Sequence, residues 1–182
     1  MTKISRLVFS AMLVAIAVLV PSIFHIFALS GNIFLPMHLP VLVAGFWLGW
    51  QYGLSVGLCA PLLNSVLTGM PVMAKVPFMT VELAGYGLFA GLFYVTLRMK
   101  NLRYRSFNYG IYLALLITLA LGRCVNAVAL TVGTYILNIN CGTAVTVIYS
   151  MITGIPGIIV QLVLVPILVA FIKSRTSDKT LF

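Results

Sequence analysis

Residues 78–97 read FMTVELAGYGLFAGLFYVTL, and residues 98–105 follow as RMKNLRYR. The first stretch is long and apolar enough to cross a bilayer as a helix, for which about 20 residues are needed. It ends abruptly in Arg98, Lys100, Arg103 and Arg105. One span and one basic stop decide the fold class, because the rest of the chain is made of further apolar runs between short breaks. One residue breaks the pattern. Glu82 lies a few residues into the span, about 8 Å from its start at the helical rise of about 1.5 Å per residue. A charge at the centre of a bilayer costs at least ~2.5 kcal/mol on the mildest scale, so it needs a partner or a purpose.

The composition makes the surroundings equally apolar. The chain has 182 residues, of which 62% are hydrophobic and 7% charged, and its mean hydropathy is +1.17. A soluble domain carries about 25% charged residues, so too little polar surface exists here to cover a globule in water. A soluble catalytic domain is excluded by the same arithmetic. The net charge of +9 does not indicate nucleic acid, because the basic residues flank apolar runs. Cys59, Cys124 and Cys141 show no metal or redox spacing, and His25 and His38 have no neighbouring ligand at metal spacing. Neither a metal nor a cofactor is expected. The apolar run from Leu7 to Leu29 is too long for a signal-peptide core and reads as a retained first helix.

Six spans follow, at about 5–29, 34–50, 54–67, 78–97, 109–137 and 145–172, in one all-α domain covering 1–182. Ser30-Gly31-Asn32, Gln51-Tyr52-Gly53, Thr68-Gly69-Met70-Pro71, the basic stretch and Asn138–Gly142 separate them. The second and third are short. Basic residues concentrate on cytoplasmic loops of membrane proteins. Six spans place Lys3, Arg6, Arg98, Lys100, Arg103, Arg105, Lys173, Arg175 and Lys179 on one side, with Lys75 alone opposite. The expected topology therefore has both termini cytoplasmic. The outer loops are then rich in Gly, Asn, Pro and Met and contain Asn32 and Lys75, as a binding face would.

Lys75, Glu82 and Arg123 are the charges within or beside a span. Tyr86 shares the face of Glu82 at i+4, and Asn126 stands one turn from Arg123. Tyr149, Thr153 and Gln161 share about a third of the circumference of the sixth span, and Asn64 lies in the third. Together they form a polar lining in an apolar body. Two readings of Glu82 and Arg123 stay open: they hold a ligand, or they hold each other. His38, after Pro36-Met37, either caps the second span or faces the ligand. In the first span Ala11 and Ala15 form a small-xxx-small pair, which lets another helix approach closely.

These residues resemble a known family, the substrate-binding S components of energy-coupling factor (ECF) vitamin transporters. The resemblance rests on Ala11-x-x-x-Ala15, on Leu35-Pro36-Met37-His38-Leu39-Pro40, on Leu67-Thr68-Gly69-Met70-Pro71, on Glu82-Leu83-Ala84-Gly85-Tyr86, and on Gly122-Arg123. It covers essentially the whole chain. It implies a membrane subunit of the cell membrane, not an enzyme, that binds one micronutrient on the outer face. Delivery would go through a transmembrane T component driven by two ATPase subunits, with Ala11 and Ala15 as the docking surface. The expected ligand contacts are Asn32, His38, Lys75, Glu82, Tyr86, Arg123, Asn126, Tyr149 and Gln161. Arg123 would pair with a carboxylate, Glu82 would accept from an amine or hydroxyl, and Tyr86 and Tyr149 would stack on a ring. Pantothenate or a queuosine-type precursor fits that chemistry. Two other readings stand beside it: a solitary carrier or channel subunit, and an intramembrane enzyme using Glu82 as base and His38 as acid.

Overall fold

The computed structural model describes residues 2–26, 35–97, 109–135, 149 and 152–178, with the backbone alone for 24–26 and 175–178. Every described element is helical: α1 Lys3–Ile26, α2 His38–Leu48, α3 Trp50–Thr68, α4 Val76–Gly91, α5 Tyr109–Tyr135 and α6 Ile155–Asp178. A 3-10 turn, Met73–Lys75, leads into α4, and a π-helical turn, Leu92–Thr96, extends it. Among the described residues four segments are long and apolar enough to cross a membrane: Lys3–Ile23, Met73–Thr96, Tyr109–Tyr135 and Ile155–Ser174.

Local chemistry sets the ends of these helices. Thr2 Oγ1 accepts from the Ser5 N–H at 3.2 Å and closes the first turn of α1. Gly69, at φ 72°, ends α3 in the left-handed conformation that glycine adopts without a Cβ clash. Asn64 and Ser65 then hold the loop that follows. Asn64 Nδ2 donates to Met70 O at 2.8 Å and Ser65 Oγ to Pro71 O at 3.0 Å. Asn64, expected in the polar lining, is thus a loop anchor.

The second and third spans differ from expectation. The chain does not turn at Gln51-Tyr52-Gly53, which is regular helix; it breaks at the single residue Gly49, with φ 104° and ψ 172°. Gly53 is required for another reason. A Cβ there would overlap the Gly87 carbonyl, one on Gly57 would overlap the Leu83 carbonyl, and one on Gly91 would overlap the Trp50 backbone. These glycines let α3 and α4 pack backbone to backbone, the closest approach two helices can make. They belong to two spacings of four, Gly53/Gly57 and Gly87/Gly91, which are the motif for such contact.

With 11 residues, α2 extends only about 16 Å, too short to cross a hydrocarbon core of about 30 Å. It is instead the centre of the bundle. Val41, Leu42, Val43, Ala44 and Phe46 are all buried, as expected of a helix apolar all round. It packs against α1, α3, α4 and α6, while α4 also packs on α5. At one end Tyr94 ties three helices together. Its ring meets Phe46 of α2 edge-on at 5.2 Å. Lys173 Nζ of α6 donates to its hydroxyl at 3.1 Å and lies 4.1 Å from its ring centroid.

The fourth and fifth helices fall close to their expected bounds. In the sixth, the helix runs on to Asp178, and the expected start at Val145 lies outside the described residues, as do the basic stretch 98–108 and Asn138–Gly142.

Candidate functional site

The site is assembled where α2, α4, α5 and α6 meet. Glu82 is 6% exposed and Arg123 8%. Arg123 Nη1 donates to Glu82 Oε1 at 3.1 Å, and Asn126 Nδ2, one turn along α5, donates to Oε2 at 2.8 Å. The Tyr86 hydroxyl donates to Oε1 at 3.3 Å from the next turn of α4. The carboxylate therefore accepts from three protein groups on both oxygens. Such saturation is what a buried charge requires, since an unpaired one costs several kcal/mol. The i, i+3 spacing on α5 and the i, i+4 spacing on α4 bring these groups onto one facing pair of stripes.

Close packing of α4 on α5 is permitted by Gly122. A Cβ at that position would overlap the Tyr86 ring. The Gly122-Arg123 pair thus has a physical meaning: the glycine seats the tyrosine, and the arginine beside it reaches the glutamate.

Beside this cluster lies a cavity of about 170 Å³. Its polar wall is His38, Tyr86, Arg123 and Gln161; its apolar wall is Leu35, Leu119, Ala120 and Ile158. The His38 and Tyr86 rings meet edge-on with centroids 5.1 Å apart. His38 Nε2 stands 3.9 Å from Glu82 Oε1, beyond hydrogen-bond distance. Among the described residues neither nitrogen of His38, 2% exposed, has a hydrogen-bond partner, and neither polar atom of Gln161, at 0% exposure, has one. Buried polar atoms are paired in the great majority of cases. Two such side chains on the wall of one cavity make it the candidate ligand site.

Of the residues expected at the site, the structure brings together His38, Glu82, Tyr86, Arg123, Asn126 and Gln161. Glu82 stands behind the cavity wall, bonded to the residues that form it. Two do not join them. Lys75 is exposed at the end of the 3-10 turn, and Tyr149 is exposed outside the cavity. Asn32 lies outside the described residues. Ala11 and Ala15 are exposed on α1, next to exposed Leu7, Met12 and Leu19. The residues that sequence reasoning missed are the glycines on α3 and α4 and the apolar partners Leu119 and Ile158. The four-residue glycine spacing was a usable signal for the first; nothing distinguishes the second from any other core residue.

Residues 5–169 match a family described as the substrate-specific component of ECF transporters. Comparison with curated proteins and with solved structures returned no match. The match spans nearly the whole chain, and the four apolar segments agree with a multi-pass membrane protein. With its charged cluster beside a cavity inside an apolar bundle, this chain belongs to the substrate-specific components of ECF transporters.

Proposed function

We propose that this chain is the solute-capturing subunit of an importer in the cell membrane. It binds a small water-soluble vitamin or modified base on the outer side, with pantothenate and a queuosine-type precursor as candidates. It passes the solute inward through a T component driven by two ATPase subunits. The observation that carries this reading is the cavity lined by Arg123 and by the unpaired His38 and Gln161, in a member of a substrate-specific transporter family.

Roles divide by position. His38, Tyr86, Arg123 and Gln161 touch the solute. Glu82 and Asn126 are positioning residues that hold Arg123 and Tyr86 in place. Lys75, exposed ahead of α4, acts on the approaching solute, and Tyr149 and Asn32 are assigned to the outer rim with it. Ala11 and Ala15, small and exposed on α1, form the contact with the T component. All six helices are embedded with both termini cytoplasmic. In this arrangement α2, short for a span, is shielded from lipid by α1, α3, α4 and α6.

Purification from native membranes, followed by mass spectrometry of what co-purifies, tests both halves. The expected result is one small polar solute together with a larger helical subunit and two ATPases. Uptake of that solute should require ATP and fall at least ~10-fold with Gln161→Leu, the effect of losing a buried hydrogen bond made to the solute. A chain that purifies alone and still drives uptake in vesicles without ATP would sink the proposal.

A further inference from the structure

The chemistry of the cavity narrows what it can hold, on the reading that the chain captures a solute. Consider first its charge. Glu82 and Arg123 cancel across 3.1 Å. Glu82 Oε1 also accepts from Tyr86, so that ion pair is balanced within the protein. A carboxylate brought into the cavity would be a charge without its own counter-ion, or would have to take Arg123 away from Glu82 and leave that group unpaired.

Consider next what the wall lacks. Gln161 offers an amide N–H₂ and a C=O, side by side in one plane, both unpaired. The complement of that amide is equal in donors and acceptors and carries no net charge. A –CO–NH– edge in a ring presents that complement directly, since it can meet a glutamine amide in two parallel hydrogen bonds. Glutamine reads the edge of adenine by the same kind of two-point contact. Tyr86 supplies an aromatic ring, and Leu119 and Ile158 supply apolar sides. The size agrees: about 170 Å³ is close to the roughly 150 Å³ of an apolar cavity that takes up a single benzene.

We infer that this cavity binds an uncharged, planar amide-bearing ring, a lactam or ureide in class, through a two-point contact with Gln161, rather than a carboxylate clamped by Arg123. The inference rests on the solute-binding reading and selects within it.

Matched probe pairs test it on the purified full-length chain in detergent, by calorimetry. Nicotinamide is compared with nicotinate, uracil with its 6-carboxylate, and pantothenol with pantothenate. The uncharged member should bind at least ~10-fold tighter in any pair that binds, with the lactam and amide rings ahead of the open-chain pantothenol. Gln161→Leu should abolish that binding. It should not lower the thermal midpoint of the empty protein, because it removes an unpaired buried amide rather than a bond. Tighter binding of a carboxylate member, no binding by any uncharged member, or unchanged binding by Gln161→Leu would each overturn the inference. A carboxylate solute found by co-purification would also sink it while leaving the transport reading intact; a lone chain that drives uptake without ATP would do the reverse.

Discussion

At the scale of single residues, the open question in the sequence was whether Glu82 and Arg123 hold a ligand or each other. They hold each other, and the pairing leaves only Arg123 on the cavity wall. Glu82 bonds to Tyr86, Arg123 and Asn126. Its loss would strand a buried guanidinium, so Glu82→Ala should destabilise the protein by about 3–5 kcal/mol, the usual cost of removing one partner of a buried pair. The double variant Glu82→Ala/Arg123→Leu should recover a large part of that loss, because no charge is left unpaired. Thermal unfolding of the three proteins in one detergent measures this; a double variant no more stable than Glu82→Ala would refute the account. Gln161 behaves in the opposite way. It has no partner to lose among the described residues, and so its removal should leave stability intact while costing binding.

Among the helices, the contact that positions Glu82 is the glycine seam between α3 and α4. Gly53 and Gly87 face each other so closely that neither admits a Cβ without overlap of backbone, whereas a Cβ on Gly85 would make ordinary contacts, 3.6 Å from Val125 Cγ1. Gly85→Ala should therefore be tolerated, and it would also remove the helix penalty of glycine, about 0.5–1 kcal/mol. Gly87→Leu should cost at least ~1–3 kcal/mol, the range for overpacking a filled interior, and should weaken solute binding by displacing Tyr86. Size-exclusion profiles and melting curves of the two variants compare them directly. Equal behaviour would show that the seam does not determine the spacing of the helices.

For the molecule as a whole, charge placement predicts its orientation. Lys173 packs on Tyr94 at one end of the bundle, and Lys75 is exposed ahead of the other end of α4. In a background without Cys59, Cys124 and Cys141, single cysteines at Lys3 and Lys75 should label from opposite sides. Membrane-impermeant maleimide should reach position 75 in intact cells and position 3 only in inside-out vesicles. Labelling of both from one side would rule out the proposed topology.

Much of this was legible in the sequence because the bilayer simplifies the code. Apolar length identifies α1, α4, α5 and α6, and the rarity of intramembrane charge singles out Glu82 and Arg123 without any coordinates. The family resemblance carried by the motifs around Ala11, His38, Glu82 and Arg123 agrees with the family match over 5–169. The break between the second and third helices was misplaced because Gly49 and Gly53 are the same residue type used for different ends. One adopts a positive φ and the other admits a neighbouring backbone, and only packing tells them apart. Asn64 and Gln161 are likewise both buried amides in apolar runs. One finds a carbonyl, Met70 O, six residues along the chain, and the other faces a cavity with none. Composition and charge thus determined by themselves that this is a helical membrane protein with two opposite charges inside it, because these properties depend on the solvent. Which polar groups are satisfied and which await a partner was decided by the tertiary structure alone, because hydrogen bonding depends on distances between helices that the order of residues does not contain.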